Sequence, residues 1–374
     1  MLVRRAMCGG SHAQVTASSP QRKAMASEVA AVVRTGALSV YLSLPAVQLP
    51  ALAVSNEVVI ERIRSRFRGG TLQWKAVERA VKLVFQSCGT TVRHQEVAEP
   101  AAPGLHAANR AADVLAENGL TADALDTVVY GSIARTVFEP ATACEVAARI
   151  GAQRALAFDV VAACAGPLVA LEQLLGKAAI DPDWRLGVIT SASLSEGHLS
   201  YDIQGIEDLE TLAAGLTIGN ASTAFLVGRR PFRHGGRIVA THTQGRSAHH
   251  NLCKVPTNGP FLSSRATLVQ LAALVPQHVE AVTRRAGWRV EDVDLFIFHQ
   301  PSDRVLRGVA RSLGVSPDRV PQLHGLHANT EASAVPLALR TLFDAGRLKA
   351  GMKILLGSAA AGFTMASALV EWEG

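Results

Sequence analysis

Aromatic and charged residues are scarce in this chain, and long uncharged apolar runs are absent. Aromatic residues make up 5% and charged residues 18% of the 374 residues, whereas 48% are hydrophobic. This apolar fraction excludes a disordered or collagen-like chain and is sufficient for a large core. Because no run of about 18 uncharged apolar residues occurs, we expect no membrane-spanning segment.

Cysteine is also scarce, and its positions are not arranged in pairs. The five cysteines show no CxxC spacing: Cys8, Cys88, Cys144, Cys164 and Cys253. Small secreted domains instead carry an even set of closely spaced cysteines. The pattern predicts a cytoplasmic protein in which each cysteine is either a core residue or a reactive thiol.

The net charge is modest for this length. It is +6 at pH 7, and the chain contains no block of like charges. A weakly cationic surface suits acidic partners, and we expect no nucleic-acid binding.

The first residues differ in composition from the rest of the chain. Residues 1–27 contain no acid and four basic residues: Arg4, Arg5, Arg22 and Lys23. A transit peptide has such a composition. The simpler interpretation, which we prefer, is a flexible extension, or a start codon placed upstream of Met25. Residues 1–36 are therefore set apart from the predicted fold.

The remaining sequence contains an internal duplication. Asn118–Gly131 and Ala286–His299 share a glycine, an acid, an aspartate and a β-branched strand, at an offset of 168 residues. Similar pairs of helical and apolar segments flank both copies in the same order. Alternating helices and continuous apolar strands predict an α/β fold with buried, largely parallel sheets. We expect two stacked halves, 37–232 and 233–374.

Three residues at equivalent loops of the two halves are candidates for catalysis. Cys164 precedes a predicted helix, whose N-terminal dipole favours a thiolate. His299 ends the predicted strand Leu295–Phe298, and Asn329 precedes a later helix. Each alone is explained as a core cysteine, a structural histidine or a helix cap. Together they can form a thioester and stabilise its oxyanion without a metal.

These segments resemble the thiolase superfamily, and within it the β-ketoacyl-acyl-carrier-protein synthase III branch. The resemblance lies in the segments Asp159–Gly166, His299–Gln300, Ala328–Ser333 and Ser358–Phe363. The resemblance implies a five-layered αβαβα fold and a homodimer. It also implies that the substrates are acyl thioesters of carrier protein or coenzyme A and that no cofactor or metal is needed. It also implies that Cys164 carries the acyl group and that His299 and Asn329 hold the enolate oxygen. Backbone N–H groups of Cys164 and Ala361 would form the oxyanion hole.

Two departures from the family pattern bear on this interpretation. The glycine triplet that helps to build the oxyanion hole is mostly alanine here, in the segment 359–361. The arginine associated with coenzyme A is replaced by Ser87. The second departure favours a carrier protein as the acyl donor.

Glu139 indicates a subfamily. It precedes Pro140, which is typical of the first turn of a helix, and it is alternatively an ordinary acid at a helix start. The EPxTA sequence resembles enzymes that join two long acyl chains, as in head-to-head olefin and α-pyrone synthesis, and His249–Cys253 is similar to the olefin type. In such an enzyme Glu139 would deprotonate the second acyl group from the partner subunit. A metal site of His242, His249, His250 and Cys253 has no closed zinc spacing, and we do not expect it.

A basic helix face after His299 is a candidate docking surface. At about 100° per residue, Arg304, Arg307 and Arg311 share one face. A solvated face without a partner is the alternative. Arg304 matches the synthase III arginine that helps to bind the acidic carrier protein, so we expect the carrier to dock here.

The resulting prediction is a condensing enzyme that forms a β-ketoacyl product by Claisen condensation through acyl-Cys164, with or without decarboxylation. The alternative is an acyltransferase that delivers the acyl group to a hydroxyl or amine. A non-catalytic partner subunit is a third hypothesis, but such subunits usually lack the cysteine or histidine. The acyl chains, the acceptor and the pathway are not indicated by the sequence.

Overall fold

The computed structural model of the protein describes residues 39–96, 102–193 and 196–374. The part from Ser39 to Gly374 forms one compact unit. The predictions for residues 1–36 fall outside the described residues. The proposed boundary at 232/233 lies between two strands, β8 and β9, whose bounds follow.

The described residues include fourteen strands. In chain order they are β1 (Tyr41–Ser43), β2 (Ala46–Gln48), β3 (Leu52–Ser55), β4 (Val92–Gln95), β5 (Thr127–Tyr130), β6 (Leu156–Asp159), β7 (Leu186–Ser193), β8 (Ala221–Gly228), β9 (Gly235–Gly245), β10 (Cys253–Lys254), β11 (Leu262–Ser263), β12 (Leu295–Phe298), β13 (Lys353–Ala360) and β14 (Thr364–Trp372).

The α-helices alternate with these strands. They are Asn56–Arg64, Thr71–Cys88, Pro103–Glu117, Thr142–Ile150, Gly166–Ile180, Leu209–Leu212, Arg265–Arg285, Asp303–Leu313, His324–His327 and Ala334–Asp344. Pro140 therefore lies before the helix Thr142–Ile150, and the expectation that it starts the first turn is wrong. Pro301 likewise precedes its helix, whose N-cap is Ser302.

The strand pairing repeats in the two halves. In the first, β5 is parallel to β7, β7 is antiparallel to β8, and β8 is antiparallel to β1. In the second, β12 is parallel to β13, β13 is antiparallel to β14, and β14 is antiparallel to β9. β1 also pairs with β9 and joins the halves, while β6 adds a parallel edge strand beside β5. The predicted duplication is thus present in the topology.

Two helices lie between the duplicated halves and explain the layering. Gly166–Ile180 contacts β5 and β7 as well as β9 and β14, and Ala334–Asp344 contacts strands of both halves. Pro103–Glu117 covers β7 and β8 from outside, and Arg265–Arg285 covers β9 and β14. The layers of the fold therefore follow one another in the order helix, sheet, helix, sheet, helix. β5, β7 and β8 are buried along their whole length, as continuous apolar strands between helix layers should be.

One described segment, Ala163–Ile180, is long and apolar enough to cross a membrane by length and composition. It includes the helix Gly166–Ile180, which packs between the two halves. A core helix of a globular protein meets the same criterion.

The start of that helix makes a close backbone contact. A Cβ at Gly166 would lie 2.5 Å from the carbonyl oxygen of Gly131, and a Cβ at Gly131 would lie 2.9 Å from the carbonyl carbon of Gly166. Gly131 follows β5, so this contact fixes the helix start against the end of that strand. Only glycine at both positions permits this approach, because each Cβ would meet backbone atoms that cannot rotate away.

We predict that Gly166→Ala destabilises the protein by about 1–3 kcal/mol, because the new methyl group overpacks the contact. Gly176→Ala is the matched control, since Gly176 lies in the same helix with nothing within 4 Å of its Cβ position. The control should gain about 0.5–1 kcal/mol from reduced backbone entropy. Urea unfolding would measure both, and equal effects would contradict the close-contact interpretation.

Candidate active site

Cys164 lies in a strained turn between β6 and the central helix. A single 3-10 turn, Ala163–Ala165, separates the two elements, and Ala163 has φ +48°. Alanine rarely adopts this left-handed conformation, which costs about 1–2 kcal/mol. Ala328, which precedes Asn329 in the second half, also has a positive φ, of +59°, but its ψ of −160° lies outside the left-handed helical region. Both candidate residues thus follow an alanine with a positive φ.

Strand β13 connects the nucleophile to the histidine. The backbone N–H of His299 donates to the carbonyl of Gly357 at 2.8 Å. The next residue, Ser358, donates its Oγ–H to the carbonyl of Cys164 at 3.0 Å. Two consecutive residues of one strand therefore fix both candidates.

Asn329 is held from both sides by the segment that precedes β8. Its N–H donates to the carbonyl of Thr217, and its carbonyl accepts from the N–H of Gly219, each at 3.0 Å. Its Oδ1 accepts from the N–H of Glu331 at 3.0 Å. The Oδ1 contact fixes the side-chain amide and leaves its NH₂ group as the donor for a substrate oxygen.

Burial keeps His299 neutral. The side chain is 7% exposed. Burial lowers the pKa of His299 to about 4, His324 acts in the same direction, and a backbone hydrogen bond with Glu331 opposes them. His299 can therefore accept a proton at neutral pH.

His324 supports this arrangement. Its Nδ1 donates to the carbonyl of Gln300 at 2.9 Å, and its Nε2 lies 2.7 Å from Oγ1 of Thr90. Burial lowers the pKa of His324 to about 4 as well. A neutral ring with Thr90 donating to Nε2 satisfies both contacts.

The pKa of the Cys164 thiol is shifted in the direction opposite to the one expected. Burial raises the pKa of Cys164, the charge of Glu331 and the neighbouring Cys253 add to this, and a backbone hydrogen bond opposes it. The effect of the helix start is therefore outweighed by desolvation, and the expectation of a prepared thiolate is wrong for the substrate-free site. We therefore expect the thiol to lose its proton only when a substrate arrives, with neutral His299 as the acceptor.

The alanine-rich turn after β13 is compatible with an oxyanion hole. Between β13 and β14 only Gly362 has a positive φ, of +132°. The backbone at Ala359, Ala360 and Ala361 therefore does not require glycine. Ala361 lines the same cavity as Cys164, so its N–H remains a candidate donor.

A large apolar cavity contains these groups. Its volume is about 1660 Å³, and Cys164, His299 and Asn329 all line it. Its apolar wall includes Leu83, Ile206, Leu209, Leu268, Val269 and Val275. Typical small-molecule sites have volumes of about 300–1000 Å³. The cavity can thus accept more than one extended apolar group beside the thiol.

Comparison with known proteins tests the resemblance. A family model described as the C terminal of 3-oxoacyl-[acyl-carrier-protein] synthase III matches residues 283–372. The β-ketoacyl-[acyl-carrier-protein] synthase III of Rhodospirillum rubrum is 31% identical over 340 residues, which cover 86% of this chain and 96% of that protein. The enzyme of the same name from Paramagnetospirillum magneticum is 30% identical, with 71% of this chain and 82% of that protein covered.

This chain belongs to the β-ketoacyl-acyl-carrier-protein synthase III family. It is a condensing enzyme, an acyltransferase that forms carbon–carbon bonds, and this prediction from the sequence is confirmed.

Solved structures agree in fold. Xanthomonas campestris OleA gives a TM-score of 0.80 at 20% identity, covering 90% of this chain and 98% of that one. FabH from Pseudomonas aeruginosa gives a TM-score of 0.77 at 22% identity, and the match covers 90% of this chain and 99% of that one. The predicted thiolase-like αβαβα fold is confirmed.

Glu139 lies apart from the other candidates of this synthase. It is exposed and does not line its own chain's cavity, whereas the preceding Phe138 does. The loop that carries Glu139 is fixed at both ends. Tyr130 donates its Oη–H to the carbonyl of Ala134 at 2.7 Å, and the Asp159 carboxylate caps Thr142 and Ala143 at 2.9 Å. The role of Glu139 stays a prediction.

The three arginines of the helix Asp303–Leu313 are exposed, as expected. Arg304 and Arg311 line the cavity. Arg304 donates to Oγ of Ser87 at 3.3 Å, and Arg307 donates to Oε1 of Gln322 at 3.1 Å. Arg304 thus places a cation beside the position where the family's arginine is replaced by Ser87.

No role was predicted from the sequence for several buried polar residues of the site, although all but His324 lie in the segments that carry the resemblance: Gln300, His324, Glu331, Ser333 and Ser358. Glu331 lies two residues after Asn329, where no sequence pattern indicates burial. The histidines considered for a metal have other contacts: His242 stacks on His278, and His249 packs on Phe363. Among the described residues no group of three or more His, Cys, Asp or Glu could hold a metal ion.

We predict that Cys164→Ala abolishes acyl-enzyme formation while the protein stays folded, because the mutation removes only the thiol at the turn. Mass spectrometry of intact protein after incubation with acyl thioesters would measure loading. Cys88→Ala is the control, since Cys88 lines the same cavity. Labelling that persists in Cys164→Ala and is lost in Cys88→Ala would contradict the assignment.

Proposed function

We propose that this synthase joins two long acyl chains by Claisen condensation without decarboxylation. The observation that carries the proposal is the cavity of about 1660 Å³ with its apolar wall beside Cys164. A structure of Xanthomonas campestris OleA with bound lauric acid and lauroyl-CoA matches this chain with a TM-score of 0.79 at 20% identity. That protein supports long acyl chains as the substrate class.

The first half-reaction loads Cys164. His299 accepts the thiol proton, the sulfur attacks the donor thioester, and the donor sulfur leaves as a thiol after taking that proton back from His299. Backbone N–H groups of Cys164 and Ala361 would hold the developing oxyanion. Removing one such donor typically costs about 100- to 1000-fold in rate.

The second half-reaction forms the carbon–carbon bond. Glu139 of the partner subunit takes a proton from the α-carbon of a second acyl thioester, and the enolate oxygen is held by His299 and Asn329. The carbanion attacks the acyl-Cys164 carbonyl. The Cys164 sulfur then leaves and recovers a proton, so that a β-ketoacyl thioester remains on the second carrier.

A homodimer is part of this proposal. β6 is an edge strand, and its Leu156 is 54% exposed. The nearby apolar residues Val161, Val137 and Phe138 are also exposed, Phe138 at 81%. An apolar strand edge of this kind requires a cover. A second copy of the chain paired across β6 would cover this apolar edge. It would also bring Glu139 of one subunit towards the active site of the other.

We also propose that the protein works in the cytoplasm without a cofactor. The four cysteines among the described residues are free of disulfides. The proposed steps need only thioester substrates, the residues above and backbone donors.

Glu139→Gln should still load Cys164 but should lose at least about 100-fold in condensation with an unextended acyl thioester, as expected for a lost general base. Product mass after single-turnover reaction of the acyl enzyme would measure this. Glu145→Gln is the control, because Glu145 is a half-buried acid on the next helix, paired with Arg149.

Two outcomes would contradict the non-decarboxylative proposal. One is normal condensation by Glu139→Gln. The other is product from malonyl-type acceptors only. An acylated alcohol or amine as the only product would favour acyl transfer instead.

Acyl carrier protein is the proposed donor and docks on the face of Arg304, Arg307 and Arg311. Carrier proteins present phosphate and carboxylate groups, which arginine binds well. The exposure of all three arginines, two of which line the cavity, supports this partner. The contact should weaken with salt.

Changing Arg304 and Arg307 together to Glu should slow transfer from a carrier-bound donor several-fold or more and barely change transfer from a short pantetheine thioester. The control pair Arg284→Glu and Arg289→Glu makes the same charge change at exposed arginines outside the cavity. Loading rates with both donors would distinguish docking from structural damage. An equal loss with both donors would show that the helix only supports the site.

A further inference from the structure

His324 is a fully buried histidine that lies behind the catalytic residues. Its side chain is 0% exposed, and it does not line the cavity that contains Cys164. A buried imidazole needs a hydrogen-bond partner for each of its two nitrogens. Neither half-reaction described above uses this ring. The partners of His324 therefore indicate what it does in the synthase.

The His324 ring joins a segment of the first half to a segment of the second. Its Nδ1 lies 2.9 Å from the carbonyl oxygen of Gln300, and its Nε2 lies 2.7 Å from Oγ1 of Thr90. A carbonyl oxygen can only accept, so Nδ1 carries the ring proton. Burial lowers the pKa of His324 to about 4. The ring is therefore neutral at physiological pH, and Nε2 accepts from the Thr90 hydroxyl.

The backbone of His324 extends this connection to the asparagine loop. The carbonyl of His324 accepts from the N–H of Ala328 at 2.7 Å. Ala328 immediately precedes Asn329, and Gln300 immediately follows His299. One residue thus binds the chain neighbours of both groups that hold the enolate oxygen in the proposed mechanism.

The segments on both sides of the ring are themselves fixed. The carbonyl of Thr90 accepts from Nδ2 of Asn56 at 2.8 Å, and the N–H of Thr90 donates to the carbonyl of Phe85 at 3.0 Å. On the other side, Oε1 of Gln300 accepts from the N–H of Leu323 at 2.8 Å. The ring is therefore held between two rigid segments and can transmit their separation to the site.

We propose that His324 is a positioning residue that sets the distance between His299 and Asn329, so that both can hold the same enolate oxygen. This inference rests on the proposed function, in which these two residues bind that oxygen. The loading pair is held by other contacts, since strand β13 binds both His299 and Cys164. The rate of condensation should therefore depend on His324, whereas the extent of acylation should not.

The test measures condensation from enzyme that has first been fully acylated at Cys164. The acceptor is an unextended acyl-pantetheine or malonyl-pantetheine, whichever the wild-type enzyme condenses. His324→Leu removes both ring contacts. The rate per acyl-enzyme should fall by about 10- to 100-fold, as expected for a small displacement of groups that act on the reacting atoms. Mass spectrometry of intact protein should still show complete acylation.

A conservative variant and a matched control accompany this measurement. His324→Asn keeps an N–H donor for the Gln300 carbonyl and should recover most of the rate. His327→Leu is the control, because His327 is a partly buried histidine of the same short helix whose Nε2 contacts Oγ1 of Thr341 at 3.0 Å. His327 does not line the cavity, and its replacement should leave the rate per acyl-enzyme unchanged.

A second variant decides the question if His324→Leu does not fold. Thr90→Val removes the hydroxyl that binds Nε2 and keeps the shape of the side chain. Thr90 does not line the cavity either, so a direct effect on the substrate is not expected. Slower condensation per acyl-enzyme would support the inference, and an unchanged rate would overturn it.

The outcomes separate this inference from the proposed function. If Asn329→Ala slows condensation and a folded His324→Leu variant does not, the inference alone is overturned. If acylated Asn329→Ala condenses at the wild-type rate, the proposed role of Asn329 fails and the inference fails with it. Incomplete acylation of His324→Leu, with a normal rate in the acylated fraction, would show a purely structural role and would also overturn the inference.

Discussion

The site depends on strand β13, where two consecutive residues bind two different catalytic segments. Gly357 accepts from the backbone of His299, and Ser358 donates to the carbonyl of Cys164. β13 belongs to the second half of the duplication, whereas Cys164 belongs to the first. The thiol and the histidine can therefore meet only after both halves have folded and packed on the helices between them. Correct assembly of the core and formation of the catalytic site are one event in this protein.

Desolvation determines the resting protonation of the site. It raises the pKa of the Cys164 thiol and lowers that of His299 to about 4, so both groups are neutral at physiological pH. A neutral pair is suited to a buried, apolar cavity, because an ion pair formed in advance would have to be desolvated. Proton transfer is thereby tied to the arrival of a thioester, whose developing oxyanion receives the backbone donors. Glu331 strengthens the same tendency by opposing a negative sulfur.

Much of the fold could be predicted from the sequence because its strands are buried on both faces. Leu295–Phe298 was predicted with its observed bounds, and the duplication was visible in segments whose pairing repeats in the structure. One helix start was predicted less accurately, since Pro140 lies before the helix Thr142–Ile150. Contacts between distant segments, such as Arg304 with Ser87, had no local signal. The positive φ of Ala163 also had no signal in the sequence, because alanine has no preference for that conformation.

The duplication also explains where the two halves diverge in chemistry. Cys164 and Asn329 occupy equivalent positions, and each follows an alanine with positive φ. Two residues later the copies separate. The first half has Gly166 at φ −45°, packed against the backbone of Gly131, and the second has Glu331 at φ +52°. In the first half that position secures the helix behind the nucleophile, so a side chain there would disturb the fold. In the second half the equivalent position carries a buried acid, so the two copies of the turn keep the same place in the fold but differ in the chemistry of the side chain that follows the catalytic residue.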